Sequence, residues 1–332
     1  MNKVHRILFA VKNPDSRRQA GFEKAVALAR SLGASLELFH AISTPVFMDL
    51  QPLTGTSLAE IRREALALRT RRLEKMALAA RKHHVATTCM VEWDFPPHEA
   101  IVRRVKRSKA DLIIAECHVG RRLTPWLMHL TDWELLRASP VPVLLLKNAR
   151  AWQRRPTILA AVDPSHAHAK PSRLDAQILD AADGLAASFR GAVHVMHSNC
   201  PAMFGLTIGD PAIDAVTLQA TYQQLKLKGK RNFEAYANKE HIARKRRHLI
   251  DTDAVFGIPE LARKLRADLV VMGAVSRSGL KRVFIGNTAE RVLNALPCDV
   301  LVVKPAHYEK RVLPKARGMR VVAPEPMFPF PG

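Results

Sequence analysis

The stretch Ala267-Asp268-Leu269-Val270-Val271-Met272-Gly273 is an apolar run with a charge near its start and a glycine at its end, and the chain carries its like twice. Ala110–Lys147 aligns with Ala267–Lys304 without a gap at an offset of 157 residues, and 11 of the 38 positions are identical. Ordinary composition would give roughly two or three. The identities fall at structural points: Ala110-Asp111-Leu112 with Ala267-Asp268-Leu269, Pro140 with Pro297, and Val143-Leu144 with Val300-Leu301. Ser31–His40 matches Ser188–His197 at the same offset, and the first apolar runs, Arg6–Val11 and Thr157–Val162, correspond at 151. Self-similarity at a nearly fixed offset is the signature of a tandem duplication.

Each copy alternates two periodicities. In the second copy, Thr157–Val162, Ala192–His197, His248–Asp251, Asp268–Met272 and Asp299–Val303 read as strands. Helical patterns cover Asp175–Ala187, Ala215–His241, Pro259–Leu265 and Thr288–Ala295. The first copy repeats this order from Ile7–Val11 to Val141–Leu146. Strands rich in Val, Ile and Leu, separated by amphipathic helices, imply a parallel sheet covered on both faces. Right-handed crossovers then make each copy a doubly wound α/β domain of about five strands. The expected layout is a first domain over residues 1–148, a linker over 149–156, a second domain over 157–306, and a Pro-rich mobile tail over 307–332.

Composition agrees with that layout. The 332 residues are too many for one ordinary domain, and 48% are apolar, enough for two cores. No run approaches the ~18 apolar residues of a membrane-spanning helix. Lys and Arg number 52 against 30 Asp and Glu, a net charge of +22. Up to residue 150 there are 25 basic and 14 acidic residues, and 27 and 16 after it, so each half carries +11. The positive charge therefore belongs to the whole surface and not to a tail. Cys89, Cys117, Cys200 and Cys298 lie far apart with no Cys-x-x-Cys, which argues against a disulfide scaffold or a zinc ribbon. The apolar run behind Met1 is too short for a signal peptide, and a cytoplasmic, reducing location is expected.

In an open parallel sheet, ligands sit beyond the carboxyl ends of the strands where the strand order reverses. Two segments of the second copy converge there. One is Val162-Asp163-Pro164-Ser165, and the other runs from Met272-Gly273 through Ser276, Arg277, Lys281 and Arg282 to Gly286-Asn287-Thr288. Gly273 ends a strand, where a missing side chain permits close approach to the backbone. Gly286-Asn287-Thr288 opens a helix whose free N–H groups favour an anion. His40 and His197 occupy equivalent strand ends beside this position.

These residues resemble the universal stress protein family, in particular its tandem, E-type branch, and the resemblance covers roughly residues 4–148 and 156–305. Nucleotide-binding members carry Gly, two residues, Gly, nine residues, Gly, then Ser or Thr. The first glycine falls on Gly273, the second on Ser276, the third on Gly286, and the hydroxyl position on Asn287, with Thr288 next. Asp163 matches the family's acidic residue near the adenine and ribose. The resemblance implies two adenine nucleotide alpha hydrolase-like domains paired through their last strands, Val141–Leu146 and Asp299–Val303, as an intramolecular pseudo-dimer. A further homodimer stays open. It also implies ATP as the ligand of the second copy, held by Val162, Asp163, His197, Met272, Gly273, Ser276, Arg277, Gly286, Asn287 and Thr288. In the first copy, Glu116, Val119 and His129 stand at the motif positions and Lys12 stands for Asp163, so that copy is expected not to bind ATP in the family's manner.

Other chemistries find less support. The 14 histidines form no set with metal-ligand spacing, and His194 and His197 point to opposite faces of a strand. There is no Gly-x-Ser-x-Gly elbow and no P-loop, so no catalytic residue is assigned and the chain reads as a regulatory binding protein, not an enzyme. Two alternatives remain open. The basic runs Arg62-Arg63, Arg71-Arg72, Lys226–Arg231 and Arg244–Arg247 suit a polyanion such as DNA, RNA or anionic headgroups. The apolar loops Pro45–Met48 and Pro201–Phe204 suit an acyl or lipid-like ligand.

Overall fold

The computed structural model describes residues 4–16, 19–47, 57–117, 129–166, 173–201, 215–273, 287–304, 312 and 314–322. The chain divides into two compact units, one of Val4–Val141 with Glu309–Gly332, the other of Pro142–Tyr308 with Met1–Lys3. The tandem α/β architecture read from the sequence is the one observed.

The first unit is built on β1 (Arg6–Ala10), β2 (Ser35–Ile42), β4 (Thr87–Trp93) and β5 (Leu112–Glu116), in the order β4-β2-β1-β5 and all parallel. A two-residue strand, β3 (Val46–Phe47), follows β2. Helices α1 (Ala20–Leu32), α2 (Leu58–Lys82), α3 (Pro97–Ser108) and α4 (His129–Ala138) join the strands. Ile7, Leu8, Phe9, Ile113 and Ile114 are fully buried, as strands covered on both faces require. The limits of the helices follow from local chemistry. Ser57 and Glu60 form a reciprocal capping box that opens α2, satisfying two N–H groups left over at a helix start. Gly33 closes α1 in the left-handed conformation at φ 64°.

The second unit repeats this with β7 (Thr157–Ala161), β8 (Ala192–Ser198), β9 (Arg247–Ile250), β10 (Leu269–Gly273) and β11 (Asp299–Val303). Its helices are α5 (Leu174–Phe189), α6 (Ala215–Lys239), α7 (Ala254–Lys264) and α8 (Asn287–Ala295). The order is β11-β10-β7-β8-β9, all parallel. The last strand of the first repeat, β6 (Val143–Leu146), also belongs to this unit. It pairs antiparallel with β11 in the register Val143↔Val302, Leu144↔Leu301 and Leu145↔Val300.

The repeated Ala-Asp-Leu motif has a structural cause. Asp111 accepts the backbone N–H groups of His5 and Arg6 at 2.8 and 2.9 Å. Asp268 accepts those of Gln153 and Thr157 at 3.1 and 3.0 Å. In each repeat the carboxylate ahead of the fourth strand fixes the start of the first, which holds the central pair in register.

Two readings differ from the structure. Pro259 was expected to lie near the start of a short helix, but α7 begins at Ala254, capped by Asp253, whose side chain accepts the Val255 N–H at 2.8 Å. Asp253 supplies the acceptor that Ser, Thr, Asn and Asp offer at helix starts. The tail also differs. Val321–Val322, named β12, pairs parallel with Val46–Phe47, and Arg317 and Gly318 bond to Asp94, so the described part of the Pro-rich segment is docked on the first repeat by specific backbone bonds. Phe328–Pro331 lie outside the described residues. No helix among the described residues is long and apolar enough to cross a membrane.

Candidate functional site

In the second unit the strand order reverses between β7 and β10, whose neighbours β8 and β11 lie on opposite sides. The residues at their carboxyl ends are Val162-Asp163 and Met272-Gly273. Val162 is buried and donates its N–H to Met196 O at 3.0 Å. Asp163 donates its backbone N–H to Asp175 Oδ1 at 3.0 Å and keeps its side chain 27% exposed. Its Oδ1 lies 3.6 Å from His197 Nδ1.

His197 is buried at the end of β8, stacked at 5.9 Å on Phe233 of α6. Its Nδ1 donates to Val162 O at 3.3 Å, and its Nε2 meets Ser165 Oγ at 3.2 Å. The first repeat has the same arrangement, His40 Nδ1 donating to Val11 O at 2.8 Å. In both repeats this ring ties the end of the second strand to the residue after the first. Burial holds the His40 pKa below its usual value, against the bond to Val11 O, which raises it. Sequence reading placed both rings at the cleft and missed this clamp; their shared offset of 157 was the available signal.

Helix α6 crosses the same end of the sheet. Asn199 bonds through Nδ2 to Lys226 O at 3.1 Å, and a β-carbon on Gly229 would collide with Asn199 Oδ1. Asn199, Phe233 and Gly229 were not singled out from sequence, because their roles need the long helix laid across the loop.

Gly273 has a packing neighbour as well. A β-carbon there would stand 2.7 Å from Leu174 Cδ2 and 3.2 Å from Ile178 Cδ1, so the space beside it is filled by α5. Asn287 and Thr288 are the first residues of α8. Ser276, Arg277 and Gly286 lie outside the described residues, as do Lys281, Arg282 and Val119.

The first repeat has opposite chemistry at the same places. Glu116 ends β5 where Gly273 ends β10, and its carboxylate fills the space beside Gly21 on α1. Lys12 stands where the second repeat has Asp163. Burial lowers the Lys12 pKa, and the nearby Asp132, Glu116 and Cys117 oppose that shift. Cys117 Sγ contacts Asp132 Oδ2 at 3.4 Å. Helix α4 starts at His129, aligned with Gly286.

These geometries bear on a nucleotide unequally. Asp163, partly exposed beside a polar ring, fits a ligand bearing hydroxyl groups. The Lys12–Glu116–Asp132 cluster does not fit a polyphosphate, since carboxylates fill that end of the sheet. Among the described residues, no group of three or more His, Cys, Asp or Glu side chains is placed to hold a metal ion.

The model of the universal stress protein family matches the chain twice, at residues 3–147 and 155–304. The chain belongs to the universal stress protein family. It is 27% identical over 310 residues to universal stress protein E of Salmonella typhi, covering 93% of this chain and 97% of that one. The same protein of Escherichia coli K12 matches at 27% over 311 residues with the same coverage. Among solved structures, a putative universal stress protein of Pseudomonas aeruginosa UCBPP-PA14 superposes with a TM-score of 0.67 at 25% identity, covering 92% of this chain and 95% of that chain. A universal stress protein of Archaeoglobus fulgidus, 14% identical, shares the fold at a TM-score of 0.59, covering 91% and 97%. This chain is thus a tandem, E-like universal stress protein.

Proposed function

We propose that this universal stress protein is a regulator of stress response and survival that works by binding, and that its second repeat holds ATP or another phosphorylated ligand while its first repeat holds none. The supporting observation is the reversal of charge at one pair of equivalent positions, Asp163 against Lys12, with the carboxylate of Glu116 added where the second repeat has neutral Gly273. In this reading Asp163 takes a ribose or base hydroxyl, and the start of α8 at Asn287 and Thr288 meets the phosphates with free N–H groups. Ser276, Arg277 and Gly286 complete the contact as the family's motif would have it. Ligand binding changes what the surface offers to partners, without turnover. Pairing of β6 with β11 inside one chain supports a built-in pseudo-dimer.

Native mass spectrometry of the freshly purified full chain tests this. The expected result is one nucleotide-sized adduct per chain, lost in Asp163→Lys, which installs the first repeat's residue. Two adducts, or none with no thermal stabilisation by added ATP, would overturn it. Binding to duplex DNA that is steeply salt-dependent and indifferent to Asp163→Lys would favour the polyanion reading.

A further inference from the structure

The chain's C-terminal segment comes back to the first repeat and meets a receptor there. Asp94, just past β4, and Arg103 on α3 are 0% and 2% exposed. Asp94 Oδ2 accepts Arg103 Nε and Nη2 at 3.0 and 2.6 Å. Its Oδ1 accepts three backbone N–H groups: Phe95 at 2.9 Å, Arg317 at 2.9 Å and Gly318 at 3.2 Å. Gly318 holds φ at 76°, in the left-handed region that favours glycine. Two successive N–H groups thereby converge on one anionic oxygen, the geometry of a backbone nest.

Side chains read the segment on either side of that nest. The Arg317 guanidinium reaches both carboxylate oxygens of Glu99, at 2.7 and 3.2 Å. Arg320 lies over the Phe95 ring at 5.4 Å. Val46 donates its N–H to Arg320 O at 2.9 Å, and β12 then runs beside β3 in the register Val321↔Val46 and Val322↔Phe47. A short strand added to an edge, with pockets and charges reading its side chains, is a recurring mode of peptide recognition.

Among the described residues, the second repeat keeps only the aspartate of this receptor. At the offset of 157, Asp94, Phe95, Glu99 and Arg103 correspond to Asp251, Thr252, Phe256 and Glu260. Asp251 is 65% exposed and pairs with Lys226 at the surface. A buried ion pair with no apolar replacement is costly to assemble, and here it presents one carboxylate oxygen to a nest.

We propose that the first repeat carries a peptide-binding groove, formed by Asp94, Phe95, Glu99 and the edge of β3, whose resident ligand is the chain's own segment Arg317–Val322. The class of ligand follows from the contacts: an extended peptide with two arginines three residues apart, glycine after the first, and β-branched residues after the second. The groove is independent of the nucleotide reading and opens when the resident segment is displaced.

The test uses the full chain and a fluorescent peptide covering residues 312–324. Wild type keeps its groove filled and binds the peptide weakly. Arg317→Glu repels its own segment from Glu99 and should bind the added peptide at least tenfold more tightly, with the Val46 amide exchanging at least tenfold faster. Combining Arg317→Glu with Glu99→Gln lifts the repulsion while leaving an acceptor for Arg103, which Glu99 also meets at 3.1 Å. That variant should recover part of the Val46 protection and bind the wild-type peptide less tightly than Arg317→Glu does. Equal peptide affinity for wild type and Arg317→Glu, or unchanged Val46 exchange in Arg317→Glu, would overturn the proposal.

Discussion

Glu116 lays its carboxylate into the space where Gly21 lacks a side chain, and the second repeat inverts the sizes, with Gly273 bare beneath Leu174 and Ile178. Gly21 corresponds to Ile178 and Glu116 to Gly273 at the offset of 157. The contact between first helix and fourth strand is thus kept by opposite means. Gly273→Ala should cost about 1–3 kcal/mol by overpacking against buried Leu174. Transplanting the second repeat's pair, Gly21→Ile with Glu116→Gly, should cost less than the sum of its single changes in urea unfolding. Additive costs would show that the two positions do not share one space.

This inversion also marks how far the sequence could be read. The parallel strands and most helices were legible, because buried parallel strands announce themselves as apolar runs and the duplication doubled each signal. Gly273 was legible as a strand end, but its reason was not. A glycine that admits a ligand and one that admits Leu174 look alike until α5 is in place. The same holds for Asp94: nothing in Trp93-Asp94-Phe95 says that a segment more than 200 residues later supplies two of its donors. Contacts between distant segments carry no periodicity.

Asp111 and Asp268 each receive two backbone N–H groups from the start of a first strand or the residues just ahead of it. Hydrogen bonds to an ionised acceptor contribute about 1.5–3 kcal/mol each, less where solvent competes. Asp268→Asn should therefore lower stability by about 2 kcal/mol in denaturant titration, and Asp111→Asn by a similar amount. A loss under about 0.5 kcal/mol for both would remove these carboxylates as the cause of the repeated motif.

Acid should weaken the fold through its histidines. His194 Nδ1 and His248 Nε2 bond at 2.9 Å, and burial lowers the pKa of both, assisted by Arg246 at His194 and by His194 and Lys264 at His248. His40 is lowered by burial as well. A lowered value means that the fold prefers the neutral ring, so the unfolded chain binds more protons in mild acid. The stability these rings contribute is present above pH ~6.5 and is lost as pH falls through their lowered folded values. Melting temperature should drop below that pH, and His194→Gln with His248→Gln should flatten the slope. An unchanged slope in the double variant would place the acid sensitivity elsewhere.

Two carboxylates at equivalent positions should answer neutralisation very differently. Asp94 is buried against buried Arg103, while Asp251 is mostly exposed beside Lys226 at 3.0 Å. Asp94→Asn removes the charge that balances a guanidinium 2% exposed and turns one acceptor oxygen into a donor group. Breaking an isolated buried pair from one side costs about 3–5 kcal/mol. Arg103 keeps Glu99 at 3.1 Å, so the loss should fall at or below the lower end of that range. Asp251→Asn removes a pair that solvent screens, worth about 0–1 kcal/mol. Denaturant titration of the two full-length variants measures the contrast. Asp94→Asn should also speed exchange at the Val46 amide, since the nest of Arg317 and Gly318 loses its anion. Asp251→Asn should leave that amide unchanged, because the second repeat carries no counterpart of the groove. Similar losses for the two variants would mean that burial of Asp94 adds nothing to what its surface counterpart contributes.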